Sequence, residues 1–228
     1  MFEETIKQVG SKELFIGISV AQISLYAVIF AGIGIILSNK IGLWKKFEVN
    51  KKAIIGVIII SILGGLCLSI VDRYVFGSFI NPVLHSYDNK PTIEYIISAF
   101  TYGGVFEEIL MRLFLMSLFS WIIAKIFYRK EKEIPTKVFV ISNIVAALLF
   151  AAGHLHTTIQ TFGYVDSLIL FRCFFMNGAF GIAFGWLYRK YGIQYSMLAH
   201  FGCHFVSKLI WLLFIYCLLY TSDAADDS

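Results

Sequence analysis

Charge is scarce in this chain. Only 15% of its 228 residues are charged, against 58% hydrophobic, and the mean hydropathy is +0.77. A soluble globular domain carries about a quarter charged residues, so that class is excluded and a polytopic membrane protein is expected. Cysteine pairs at redox or metal spacing are missing as well. Cys67, Cys173, Cys203 and Cys217 form no C-x-x-C and all lie in apolar runs, where a thiol acts as a small buried hydrophobe. Only Cys203, flanked by two histidines, stays of interest. A basic leader is lacking too: Glu3 and Glu4 precede the first apolar run, which is too long for a cleaved signal and is expected to remain as a helix. The net charge of +4 does not imply a nucleic-acid partner, because the basic residues sit in short loops between apolar segments, where they orient helices against a bilayer.

Apolar stretches of spanning length fall near 14–37, 53–71, 93–124, 138–155, 167–188 and 195–216, which predicts an all-α, six-span transmembrane bundle with a buried polar site. The third stretch is too long for a simple span, since helix at about 1.5 Å per residue overshoots a hydrocarbon core of about 30 Å, and Gly103-Gly104 is the expected break. Twelve of the basic residues follow spans one, three and five, whereas Lys7, Lys12, Arg73 and Lys90 lie on the other side, which places the amino terminus outside a cell (plasma) membrane. Arg172 and Lys208 fall inside spans near the outer face, where a long side chain is expected to snorkel. Trp186 and Tyr188 read as an interfacial aromatic belt. The expected organisation is a two-span region over 1–91, a core over 92–205, the end of the last span over 206–216, and a tail over 217–228. That tail, from Cys217 as CLLYTSDAADD, resembles the translation of a sequencing adapter and is left out of fold reasoning.

Glu107, Glu108 and Arg112 stand inside span three, and ionisable groups at such depth mark a functional site by default. Glu108 and Arg112 are i and i+4 with the acid first, the favourable order for an ion pair. Glu107 points about 100° away around the helix and is left needing a histidine, a water or a metal, in surroundings that suit a general base. His154 closes span four, with Phe150 one turn earlier on the same face. His85 and His156 are poor candidates. His200 and His204, i and i+4, leave one face of span six as metal-ligating pairs do, but Phe201 stands where an H-E-x-x-H helix carries its glutamate. Gly178, Gly181 and Gly185 let a neighbouring helix approach.

The ordered set Glu107-Glu108-x-x-x-Arg112, Phe150-x-x-x-His154 and His200-x-x-x-His204 resembles the CAAX-protease and bacteriocin-processing (CPBP, or Abi) family of intramembrane endopeptidases, and Gly181 to His200 looks like the lead into that family's third motif. The resemblance implies a polar cavity with a catalytic water and a peptide or membrane-anchored protein as substrate; a prenylated substrate is not part of that expectation. Glu107 with His154 would activate the water, Glu108 would pair with Arg112, and His200 with His204 would stabilise the oxyanion. His204 stands where better-known members carry Asn. That leaves two mechanisms open, a metal-free one and one in which Glu107, His154, His200 and His204 hold a divalent ion such as zinc. The alternative function is a non-proteolytic membrane protein, a transporter or a bacteriocin-immunity scaffold; a transporter should show inverted repeats and broken helices, and no internal repeat is found. One tension remains: these spans put His154 near the outer end of one helix and His200 near the inner end of another.

Overall fold

Four of the long helices begin where a short polar side chain takes a free backbone N–H three residues on: Ser11 from Leu14, Asn50 from Ala53, Thr92 from Tyr95 and Asp166 from Ile169. In the computed structural model, which describes residues 10–217, the chain runs through α1 (Lys12–Lys40), α2 (Lys51–Phe76), a short α3 (Asn81–His85), α4 (Ile93–Phe127), α5 (Thr136–Phe162), α6 (Ser167–Tyr191) and α7 (Ile193–Tyr216). All but α3 are long and apolar enough to cross a membrane. Among the described residues there is no strand, so the protein is an all-α, multi-pass membrane bundle. Residues 218–228, which hold most of the adapter-like segment, and Lys7 lie outside the described residues.

Small residues set the helix spacing. Gly34 of α1 lies against the Leu113 backbone of α4, where an added Cβ would come within 2.7 Å of the carbonyl oxygen. Gly64 and Gly65 of α2 face Cys203 and Val206 of α7, and Gly202 of α7 faces Ser61 in return. In lipid, where tails are as apolar as leucine, such close backbone contact supplies much of the association energy. Gly181 and Gly185 do the same for α6 on α5, against Ala147 and Asn143.

Four expectations are corrected here. Helix α4 is not broken at Gly103-Gly104; it runs unbroken from Ile93 to Phe127, with turns widened to i→i+5 bonding over Ala99–Glu107 and Ile109–Met116. The glycines are there for α7: a Cβ on Gly103 would meet His204 Nε2 at 2.7 Å, and one on Gly104 would meet Phe201 Cβ at 3.1 Å. Widened turns of this kind recur at functional sites. Nor does His154 close its helix. Helix α5 continues to Phe162 and stops at Gly163, whose φ of +77° is the left-handed cap position. The Thr158 hydroxyl donates to the His154 carbonyl oxygen (2.8 Å) and so is satisfied within the helix. Arg172 and Lys208 do not snorkel: Arg172 makes a two-pronged ion pair with Asp72 of α2 (2.6 and 2.7 Å), and Lys208, 7% exposed, lies against Tyr95. Tyr188 is not part of a surface belt either; it is fully buried with its hydroxyl 2.8 Å from Ser117 Oγ, whereas Trp186 is exposed.

Candidate active site

Glu108 is the anchor. It is fully buried, and its carboxylate meets three groups: Arg112 Nη1 at 3.1 Å, His200 Nδ1 at 2.9 Å, and the Ser196 hydroxyl, which donates to the other oxygen. The guanidinium, 1% exposed, also donates to the Gly181 carbonyl oxygen (3.0 Å) and lies over the rings of Phe150 and Phe184. A glycine at 181 is needed for that approach, since a Cβ there would stand 3.1 Å from Arg112 Nη2. One buried ion pair thus ties α4 to α6 and α7. Such a pair holds in lipid when further groups share its charges: serine and histidine do so for Glu108 and the Gly181 carbonyl for Arg112, although Arg112 Nη1 meets Glu108 as an ion pair without hydrogen-bond geometry.

Glu107 faces the other way, into a cavity of about 170 Å³ shared by α4, α5, α6 and α7. One carboxylate oxygen is 3.7 Å from His154 Nε2 and the other 3.8 Å from His200 Nε2. Both gaps are too long for direct hydrogen bonds and suit groups that share a water. The rings are aimed from behind. His154 Nδ1–H donates to the Phe150 carbonyl oxygen (2.9 Å), and His200 Nδ1 is held by Glu108, so each ring presents Nε2 to the cavity. Phe184 stacks on His200 at 4.5 Å, and the T-shaped contact of Phe150 with His154 at 4.7 Å fixes the second plane.

His204 lines the same cavity one turn beyond His200, with the two rings stacked 5.0 Å apart. Its position is set by Gly103, and it makes no ion pair with Glu107 among the described residues. Among the described residues no three His, Cys, Asp or Glu side chains are grouped to hold an ion. His85 lies away from this cavity, paired with Asp88 at the surface, and His156 is exposed.

All six sequence candidates, Glu107, Glu108, Arg112, His154, His200 and His204, are brought to one place. The depth conflict eases because α5 extends two turns past His154, which therefore stands within its helix and not at the end; α6 and α7 join through the single residue Gly192 (φ +113°), which lies against Lys45 of the loop of residues 41–50. Tyr195 pins that turn, donating to the Glu48 carbonyl oxygen (2.7 Å). Ser196 and Asn177 were missed. Ser196 continues the i, i+4 stripe of His200 and His204 backwards by one turn, a signal that was available; Asn177 is a single amide with none.

A family model described as type II CAAX prenyl endopeptidase Rce1-like matches residues 89–206, just over half of the chain. No curated protein and no solved structure matches it.

Proposed function

Because the chain belongs to the Rce1-like type II CAAX prenyl endopeptidase family, we propose that it hydrolyses a peptide bond of a protein substrate within a cell membrane, with Glu107 as the base. The observation that carries this reading is the arrangement around Glu107: two rings, each held by its far nitrogen, stand 3.7 and 3.8 Å from the two oxygens of one carboxylate, all lining one cavity with room for water.

A water there can donate one hydrogen to Glu107 and the other to the lone pair of His154 Nε2. Glu107 takes a proton as the water oxygen bonds to the carbonyl carbon, and the carbonyl electron pair moves onto its oxygen. The ring N–H of His204 meets that charge, while His200, its Nδ1–H given to Glu108, holds the stacked His204 ring in place from one turn earlier; a donor already in place is worth about 3 kcal/mol in acyl transfer. The tetrahedral intermediate then collapses, the C–N bond breaks, and the proton held by Glu107 passes to the leaving amine. No step is routed through a metal, since the donors do not close around one point. The unbroken α4 also removes the interrupted helix on which a transport reading would rest.

The test is cleavage by the purified protein in lipid nanodiscs. His154→Ala and His200→Ala are each expected to lose about 100-fold or more in rate, the usual weight of a proton-handling group, while a chelator leaves the parent within about twofold. Full activity in both histidine variants would remove the assignment, and a chelator-induced loss restored by zinc would replace the metal-free route.

Gly103→Ala probes His204 separately. The added methyl would displace a ring nitrogen now 2.7 Å away, and since that is the end of a side chain, stability should fall by less than about 1 kcal/mol. Cleavage should drop about tenfold, one misplaced donor being worth that much or more. Unchanged rates would take His204 out of the mechanism.

A further inference from the structure

A separate cavity of about 450 Å³, well within the usual size of a small-molecule site, lies between the loop of residues 41–50 and the turn that joins α6 to α7. It shares no residue with the cavity that holds Glu107. Three lysines, Lys45, Lys46 and Lys190, line it against a single acid, Glu48. Their neighbour Arg189 is used by the protein itself, donating to the Thr136 hydroxyl (2.9 Å) and lying over the Phe139 ring. The lysines are not used in this way. Among the described residues none of the three forms an ion pair, and the Lys190 ammonium rests against ring faces, Trp186 at 5.1 Å and Tyr191 at 5.3 Å.

The backbone that carries Lys45 and Lys46 is held in place. The buried Tyr195 hydroxyl donates to the Glu48 carbonyl oxygen (2.7 Å) and accepts from the Asn50 N–H (2.9 Å), and the Phe47 ring packs on Tyr195 at 5.7 Å. Gly192 brings the α6–α7 turn against Lys45, where an added Cβ would stand 3.4 Å from the lysine Cβ. Like charges are thus gathered by fixed elements, at a cost that a bound anion would relieve. Helix α2 starts at the same loop with Lys51 and Lys52 in its first turn and no acid there, the reverse of what the positive end of a helix favours.

Below this basic cluster the outer faces of two helices are apolar. Ile55 and Ile59 of α2, with Ile182 and Trp186 of α6, are exposed, and Gly56 lets the two helices meet, since a Cβ there would be 3.5 Å from Leu187 and 3.7 Å from Trp186. Phe47 and Val49 stand exposed on the loop beside the lysines. Basic pockets between membrane helices on the side richer in lysine suit anionic lipid headgroups.

We infer that this cavity binds the phosphate of a net-anionic membrane phospholipid, with Lys45, Lys46 and Lys190 around the phosphate and the acyl chains along α2 and α6. A soluble phosphate ester carries the same group, but it has no chains to cover the exposed isoleucines. A zwitterionic lipid would bring its own ammonium among three lysines. The inference is independent of the peptidase reading.

The test uses the full chain in neutral detergent, with short-chain phosphatidylglycerol and phosphatidylcholine titrated in and bound lipid counted by native mass spectrometry. Phosphatidylglycerol is expected to bind at least about tenfold more tightly, each lysine near an anionic headgroup contributing a few-fold. The triple variant Lys45→Gln, Lys46→Gln, Lys190→Gln should bring the two lipids within about twofold of each other. A control triple variant in the next basic loop, Lys130→Gln, Lys132→Gln, Lys137→Gln, should keep the parent's preference, and both variants should unfold at the parent's temperature. Glycerophosphoglycerol, the same headgroup without chains, and inorganic phosphate should fail to displace the lipid at equal concentration. Equal binding of the two lipids by the parent, a preference that survives in the first triple variant, or an equal loss in the control overturns the inference, the last by showing that only the general charge of that side is felt. Displacement by either chain-free phosphate at equal concentration overturns the lipid assignment in favour of a soluble anion.

Discussion

Glu107→Gln is expected to abolish cleavage, lowering the rate by about 10³- to 10⁴-fold, the upper range for loss of a general base, while leaving the folded protein intact. The two halves of that expectation have separate causes. An amide has the shape of the carboxylate and can still reach His154 and His200 from 3.7 and 3.8 Å through a water, so packing at this partly exposed cavity wall is unchanged. It cannot accept the water's proton. Glu107→Asp keeps the base but draws it back by one methylene from two rings whose positions are fixed by Phe150 and Glu108. An intermediate loss, about 100-fold, is expected from that misplacement. The measurement is single-turnover cleavage in nanodiscs beside thermal unfolding of each variant. A Gln variant that cleaves within tenfold of the parent would end the role given to Glu107.

Arg112→Leu should have the opposite signature, a loss of the fold rather than of chemistry alone. Removing one partner of a buried pair leaves a charge that lipid and protein cannot solvate, at a cost of about 3–5 kcal/mol. Glu108 is fully buried and Arg112 is 1% exposed, so neither can turn to water. The unfolding temperature in detergent is expected to fall by more than about 5 °C, with poor extraction from the membrane. Glu108→Gln in the same background should recover part of that stability, because the stranded charge is gone, yet not the activity, because His200 Nδ1 loses the acceptor that aims its ring. An Arg112→Leu protein that melts with the parent would show that Glu108 does not need the cation.

What could be read from the sequence was what helix geometry or cost enforces. Glu108 and Arg112 pair because residues four apart on a helix are neighbours, whatever the surroundings. Glu107 and the histidines stood out because polar groups in apolar runs are costly. Ends and partners between helices were less accessible. Span four ended too early, at His154, because hydropathy does not register a hydroxyl satisfied by its own helix, as that of Thr158 is. Gly103-Gly104 read as a break because the sequence does not show which helix lies against it. Arg172 and Lys208 were assigned to the interface on depth alone; only the packing of α2 and α4 on α6 and α7 reveals that Asp72 meets one of them and aromatic rings the other.

The one-residue turn at Gly192 has a bearing on biogenesis. With φ at +113° and a neighbour's side chain and backbone close by, it joins α6 and α7 in a tight hairpin. Helix α4 is synthesised before that hairpin, so its acidic pair must wait in lipid with only Arg112 for company until Ser196, His200 and the Gly181 carbonyl arrive. The proposed hydrolytic centre is therefore incomplete in a partly made chain, where α4 carries its charges without the groups that α6 and α7 bring to them.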